Sequence, residues 1–251
     1  IGVEFKDEAA DLLIKVVGGD GRQLLNLIEM LATNNPGIQT FELEQIKDNL
    51  RDANFLIYDR SGDEHYGMAS AFIKSLRGSD PEGALYWAFR MIEAGEDPRF
   101  IVRRMIIFAS EDIGNADPRA LELAVATADA FERIGLPEGR IPIAQCITYL
   151  AGSPKSNRSY EAMHCALRAV KDYPHEPVPN HIQNAPTELM KSIGKGKEYI
   201  YPHDQPGAIT PGVNFLPAPL TSAVWYHPSD RGIEKRISDY LASARSKKRK
   251  S

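Results

Sequence analysis

Three Asp-Pro pairs in the middle of the chain constrain its fold more than any other feature. An aspartate accepts the free N–H groups at the start of a helix, and proline suits the first helical position. Apolar residues at helical spacing follow each pair. The pairs are Asp80-Pro81, Asp97-Pro98 and Asp117-Pro118, and the predicted buried faces are Leu85, Phe89 and Ile92; Ile101, Met105 and Phe108; and Leu121, Val125 and Ala128. We therefore predict three successive helices with short connections.

Helical patterns continue on both sides of these pairs. We predict helices over 141–151 and 156–173, the second with an apolar face of Tyr160, His164, Leu167 and Val170. Before the pairs, three short helices fit within residues 1–50, the first two capped by Asp7 and Asp20. Beyond residue 173 many prolines interrupt any long element until a last predicted helix over 230–244. The predicted fold class is all-α.

These changes in pattern predict the domain organisation. Residues 1–52 form a small three-helix domain, and 51–60 read as a linker. Residues 58–226 form a larger helical domain with a proline-rich, irregular final segment, which we expect to wrap over the helices or to reach a neighbouring subunit. Residues 227–251 hold the last helix and a basic tail.

Composition excludes several classes of protein. The 251 residues are 43% hydrophobic, which allows a sizeable core, and the net charge of −4 limits any nucleic-acid contact to a local patch. No apolar run approaches the ~18 residues of a membrane span. The six histidines lack metal-ligand spacing, and no pattern identifies a serine nucleophile. We expect Cys146 and Cys165 to be buried free thiols of a cytoplasmic protein.

Basic residues cluster in three places where nucleic acid could bind. The clusters are Arg99, Arg103 and Arg104; Lys155 and Arg158; and Lys191, Lys195 and Lys197 beside Tyr199 and Tyr201. Lysines beside tyrosines could track a phosphate backbone while the rings stack on bases. The alternative is a solvated surface with tyrosines packed on the core. The same choice applies to the basic tail.

A glycine-rich turn near the start of the chain also presents a cation. Gly18, Gly19 and Gly21 surround Asp20, the predicted helix cap, and Arg22 follows in the first helical turn. The helix dipole disfavours a cation there, but open N–H groups beside an arginine suit an anion. Arg22 is thus either a solvated surface residue or an anion contact.

Longer motifs occur in order along most of the chain and carry a resemblance. They are YDRSGDEHY at 58–66, ALYW at 84–87, IEAGEDPRF at 92–100, ASEDIGNADPRA at 109–120 and YLAGSPKSN at 149–157. Together they resemble the C-terminal half of the replication-associated recombination protein A family. Its members are AAA+ ATPases related to clamp loaders and to the Werner-helicase-interacting ATPase.

The resemblance implies a role for each part of the chain. Residues 1–52 would be the AAA+ lid, and the larger helical domain would resemble a clamp-loader collar that assembles a homotetramer. Arg22, with Asp20 capping the helix beside it, would be the sensor 2 arginine that reaches the terminal phosphates of ATP. The resemblance further implies a bacterial, cytoplasmic, nucleoid-associated protein that acts with DNA, single-strand-binding protein and replication-fork proteins, and with no membrane.

The chain lacks the sequence that would let it hydrolyse ATP by itself. No GxxxxGK[ST] phosphate-binding loop occurs in it, and it begins at Ile1 rather than Met. We therefore expect a fragment of a DNA-dependent ATPase that acts at stalled forks, with ATP and Mg bound by the parent protein and none by the fragment. The alternative function is a stand-alone nucleic-acid-binding module that uses the lysine turn and the basic tail.

Overall fold

The computed structural model describes residues 2–17, 21–52 and 63–249. Within these residues it contains eleven α-helices and one pair of very short strands, which confirms the all-α class. The chain divides into two compact units, residues 1–106 with 124–152, and residues 107–123 with 153–251. Most of the predicted linker lies outside the described residues, and the three predicted domain ranges stay a prediction.

The first part of unit 1 contains three helices. Its three helices are accompanied by two strands that the sequence pattern did not predict. The elements are β1 (Glu4–Phe5), α1 (Asp7–Val17), α2 (Gly21–Asn34), β2 (Thr40–Phe41) and α3 (Leu43–Asp52). The strands pair in parallel with Glu4 opposite Thr40, and the rings of Phe5 and Phe41 stack with centroids 5.4 Å apart.

Apolar side chains from every helix of this domain meet in one core. Its buried residues are Ala9, Leu13, Val16, Val17, Leu27, Leu31, Phe41, Ile46 and Leu50. Ile14 and Leu25 are exposed and do not contribute to this core. The core is formed within residues 2–52, so this domain has an interior of its own.

The described residues of the rest of unit 1 lie mostly in helices. α4 (Asp63–Arg77), α5 (Pro81–Glu93) and α8 (Arg140–Gly152) pack on one another. α6 (Pro98–Phe108) and α7 (Arg119–Ile134) lie between α5 and α8 in the sequence. Phe72, Met91 and Ile147 are among the fully buried side chains of the three packed helices.

The Asp-Pro pairs start helices as predicted. The Asp80 carboxylate accepts from the Gly83 N–H at 2.9 Å, and Pro81 is the first residue of α5. The Asp97 carboxylate accepts from the Arg99 N–H, and the Asp117 carboxylate accepts from the Arg119 N–H. The first N–H groups of a helix have no acceptor within the helix, and these carboxylates supply one.

The predicted buried faces have different outcomes. For α6 the prediction is confirmed, because Ile101, Met105 and Phe108 are all buried. For α7 it is wrong, because Leu121 and Val125 are exposed. The buried side chains of α7 are instead Ala120, Ala124, Thr127 and Phe131. Small residues allow close approach of neighbouring backbones, so residue size was a poor guide to the buried face.

The described residues of unit 2 form two long helices, one short helix and several single turns. They are a π-helical turn (Ala109–Ile113), a 3-10 turn (Gly114–Ala116), α9 (Arg158–Asp172), α10 (Glu188–Ser192) and α11 (Glu234–Arg249). Short 3-10 turns occupy much of the proline-rich segment between α9 and α11. α11 begins at Glu234, four residues later than predicted, and continues into the basic tail.

A close backbone contact fixes the approach to α11. The Ile233 N–H donates to the Ala116 carbonyl at 2.9 Å. Gly232 has φ +52°, and a Cβ added there would lie 2.1 Å from that carbonyl oxygen. Only glycine fits this position without a shift of the backbone.

Candidate functional sites

Arg22 lies in the first turn of α2, as the sequence predicted. Its side chain is exposed, and that turn contains no acidic residue, whereas the first turn of α1 has Asp7 and Glu8. Asp20, the predicted cap beside it, lies outside the described residues. α2 thus presents a cation where backbone N–H groups also favour an anion.

The predicted lysine turn forms one side of an open groove in unit 2. The groove has a volume of about 600 Å³ and is lined by His181, Ile182, Gln183, Asn184, Ala185, Lys191, Lys195, Gly196, Lys197 and Tyr199. None of these ten described residues is acidic. Gly194 and Gly196 have φ +84° and +68°, so both adopt the left-handed conformation that lets the turn bring the lysines together.

The cations predicted to contact nucleic acid differ in their surroundings. Lys191 pairs with Glu188 at 2.8 Å on the surface, whereas no ion pair involves Lys195 or Lys197 among the described residues. Such an exposed pair is weak and exchanges readily with other ions. The groove therefore keeps most of its positive character.

The second predicted pair of cations is engaged within unit 2. The Lys155 ammonium donates to the Ser153 carbonyl at 2.6 Å, and burial lowers the pKa of this lysine. Arg158 pairs with Glu161 at 2.8 Å. The structure does not place these two residues in the lysine groove, and their contacts are typical of a structural role.

The cations of α6 also separate. Arg99 makes a bidentate pair with Glu132, with N···O distances of 2.6 and 2.9 Å. This contact raises the pKa of Arg99 and lowers that of Glu132. Arg103 is exposed and Arg104 is half-buried. Arg99 therefore links α6 to α7, while its two neighbours are available for other contacts.

An exposed apolar stripe runs along α9, where a buried face was predicted. Tyr160, Met163, Leu167 and Val170 follow one another at helical spacing, and Leu167 and Val170 are 52% and 65% exposed. Ala169 is the one buried residue within α9, all of which the structure describes. Cys165 is exposed as well, contrary to prediction, whereas Cys146 is buried. α9 thus offers an apolar surface that its own unit leaves uncovered.

A buried carboxylate in unit 2 has no counterpart in the sequence predictions. Glu234 is 0% exposed; it accepts from the Tyr226 hydroxyl at 2.7 Å and from the Ser229 hydroxyl at 2.6 Å. Asn115 in turn donates to the Tyr226 hydroxyl at 2.9 Å. Burial raises the pKa of Glu234, but hydrogen bonds from Ser156, Ser229 and Tyr226 outweigh it and keep this pKa below its ordinary value. This network ties the start of α11 to the 3-10 turn that contains Asn115.

Two other kinds of site have no support in the part of the chain that the structure describes. Its His, Cys, Asp and Glu residues form no group of three or more that could hold a metal ion. None of its helices is long and apolar enough to cross a membrane.

Two family models match the chain in succession. Residues 2–77 match the model described as AAA C-terminal domain. Residues 78–245 match the model described as MgsA AAA+ ATPase C terminal, and this match alone covers more than half of the chain. The chain belongs to the MgsA AAA+ ATPase C-terminal family.

Curated relatives of this MgsA-type chain are similar over most of its length. It is 42% identical over 247 residues to the replication-associated recombination protein A of Haemophilus influenzae and 43% identical over 246 residues to that of Escherichia coli K12. Each alignment covers 96% of the chain and 54% of the relative. The ATPase WRNIP1 of Dictyostelium discoideum is 36% identical over 88% of the chain and 27% of that protein. The predicted resemblance is confirmed, and the chain spans about half the length of these two bacterial relatives.

The two family matches also separate the candidate sites. Arg22 lies within the AAA C-terminal domain match. The lysine groove, the α9 stripe and the Glu234 network lie within the MgsA C-terminal match. The phosphate-binding loop of an ATPase is absent from both matched ranges.

Proposed function

We propose that the chain is the lid and oligomerisation region of a AAA+ ATPase that acts in DNA replication, recombination and repair at stalled forks. The observation that carries this proposal is the succession of the two family matches, a AAA C-terminal domain followed by an MgsA C-terminal region. The names of the bacterial relatives, replication-associated recombination protein A, support the role in replication and recombination. In this proposal the parent protein works in the bacterial cytoplasm at the nucleoid, with single-strand-binding protein and fork proteins as partners.

Arg22 acts in this proposal as the sensor 2 residue. ATP and Mg bind to the parent protein, and the lid brings the Arg22 guanidinium to the terminal phosphates of the nucleotide. Its exposure at the start of α2 and the lack of acidic residues in that turn support this role. A guanidinium that contacts the phosphates stabilises the charge that develops during hydrolysis.

The parent protein with Arg22→Ala tests this role. We expect slower ATP turnover with an unchanged melting temperature, because removal of an exposed cation from the positive end of a helix costs little stability. Arg103→Ala in the same protein is the matched control, since Arg103 is also exposed at a helix surface. A large fall in melting temperature with unchanged turnover would show that Arg22 is structural.

The α9 stripe supports self-association, and the resemblance supports a tetramer. Obligate interfaces bury more than ~2,000 Å² in total and are apolar like a domain core. In residues 2–52, Ile14 and Leu25 are the described large apolar side chains with high exposure, whereas the later region has many, including those of α9. The later region is therefore the better surface for association.

Sedimentation of truncated chains tests where association occurs. We expect a chain of residues 59–251 to remain oligomeric and a chain of residues 1–50 to be monomeric or poorly folded. Leu167→Gln in the whole chain should weaken association, and Arg168→Gln, an exposed neighbour on the same helix, should not. A monomeric 59–251 chain would refute the collar-like assembly.

The lysine groove favours nucleic-acid binding as a second function. Three lysines and Tyr199 line it, and no carboxylate does. Proteins that bind single-stranded nucleic acid combine such cations for the phosphates with an aromatic ring for a base. We expect Lys195→Gln with Lys197→Gln to weaken the binding of a labelled oligothymidine. Lys171→Gln with Lys235→Gln, an equal change of charge at exposed positions of the same unit, is the control. A DNA-binding monomer would favour this function over assembly.

A further inference from the structure

A second basic groove lies in unit 1, away from the lysines predicted from the sequence. It has a volume of about 410 Å³ and is lined by Tyr66, Ala69, Ser70, Ile73, Lys74, Arg77, Phe100 and Arg104. α4 supplies the first six of these residues and α6 the last two. Three of the eight are cations and none is acidic, so the lining carries a net positive charge.

Arg104 is the unusual member of this groove. Its Nε atom is buried and has no hydrogen-bond partner among the described residues. A buried donor of a charged group without a partner destabilises a protein, so such atoms usually meet a water molecule or an ion. Arg104 is half-buried and lines the groove, so an anion bound there would meet the accessible part of this cationic side chain.

The helix dipole explains the other two cations but not Arg104. Lys74 and Arg77 lie in the last turn of α4, where a cation is favourable without any ligand. The last turn of α6 contains no basic residue, so Arg104 lies outside it. A ligand anion would give Arg104 a counter-charge that the helix dipole does not supply.

Aromatic rings complete the groove. Tyr66 is 71% exposed, and Phe100 is half-buried. An exposed ring beside cations is the arrangement that holds a single strand, with phosphates on the cations and a base on the ring. A free inorganic anion would need only the cations.

We propose that the groove formed by Lys74, Arg77, Arg104 and Tyr66 binds single-stranded nucleic acid, with the cations on the phosphate backbone and Tyr66 stacked on a base. This site depends neither on the proposed self-association nor on Arg22. It adds a contact in unit 1 to the one proposed for the lysine groove.

The test measures binding of a fluorescein-labelled oligothymidine to the whole chain by anisotropy at several salt concentrations. We expect Arg104→Gln to reduce the affinity about tenfold, as for loss of a hydrogen bond to a charged group. The slope of log K against log salt should also become smaller by about 0.7, the value for one phosphate contact on a single strand. Arg103→Gln is the matched control, because this exposed neighbour on α6 does not line the groove.

Two further variants separate the cations from the ring and guard against a folding defect. Lys74 is exposed, so Lys74→Gln should reproduce the smaller salt slope while circular dichroism remains that of the unmodified chain. Tyr66→Leu should reduce the affinity about fivefold or more with an unchanged slope, because stacking releases no counterions. Sedimentation of each variant should show the oligomeric state of the unmodified chain, which distinguishes this proposal from the proposed assembly.

Specific results would overturn the proposal. They are an unmodified chain that does not bind the oligothymidine, or equal affinities for Arg104→Gln and Arg103→Gln. Complete competition by inorganic phosphate together with no effect of Tyr66→Leu would assign the groove to a small anion instead.

Discussion

Replacement of Glu234 by glutamine tests whether the buried network holds α11 in place. Two hydroxyls, from Tyr226 and Ser229, donate to this carboxylate. Hydrogen bonds to a charged group contribute ~1.5–3 kcal/mol, against ~0.5–1.5 kcal/mol between neutral groups. Glutamine has a single acceptor oxygen, so one hydroxyl keeps a neutral hydrogen bond and the other faces an NH2 group that cannot accept from it. Together these changes cost about 2 kcal/mol. We therefore expect Glu234→Gln to lower the free energy of unfolding of unit 2 by about 2 kcal/mol at pH 7.

The effect has a definite dependence on pH. The pKa of Glu234 is lower in the folded chain than its ordinary value, so the carboxylate adds stability above the unfolded pKa of about 4.3. That stability is lost as the pH falls through the folded pKa. The difference between the unmodified chain and Glu234→Gln should consequently shrink as the pH is lowered below about 4.

Tryptophan fluorescence in urea can follow unit 2 separately. The chain has two tryptophans, Trp87 and Trp225, which lie in units 1 and 2 respectively. In a Trp87→Phe background, Trp225 reports on the segment next to Tyr226. The control is Glu188→Gln, an exposed glutamate of the same unit whose pairing with Lys191 contributes little stability. Equal unfolding free energies for Glu234→Gln and this control at pH 7, or a difference that persists in acid, would refute the reasoning.

Three other outcomes follow from the structure. Asp80→Ala should cost about 1 kcal/mol through loss of the α5 cap, seen as a lower melting temperature by circular dichroism; an unchanged value would contradict the cap. Iodoacetamide should modify Cys165 before Cys146, because burial raises the pKa of Cys146 to about 11; peptide mass spectrometry gives the order, and equal rates would show that Cys146 is accessible. The purified chain alone should hydrolyse no ATP, since it lacks a phosphate-binding loop; turnover insensitive to Arg22→Ala would disprove this.

Helix starts could be predicted because their causes are local. The Asp80 carboxylate accepts a hydrogen bond from the N–H of Gly83, only three residues away. Such a short spacing is visible in the sequence itself. Buried faces depend on what lies opposite, which the sequence does not display. Alanines of α7 are buried while Leu121 is exposed, so hydrophobicity alone selected the wrong face.

The candidate sites divide in the same way. Arg22 could be located because a glycine-rich turn and a resemblance both marked it, although its role stays a prediction. Arg104 was visible as part of a basic cluster, but its unpartnered Nε atom depends on packing between helices. Glu234 could not be found, since a glutamate near a helix start is normally solvated and only the fold brings Tyr226 and Ser229 to it.

The parallel pair of β1 and β2 determines how the small domain responds to a pulling force. Glu4 donates to the Gln39 carbonyl at 2.7 Å, and the Phe41 carbonyl accepts from Lys6 at 3.1 Å. Parallel strands that are pulled from the start of one and the end of the other are loaded in shear, so these bonds share the load and do not open one after another. Tension applied between Val3 and Glu42 would therefore be resisted until the pair fails as a whole.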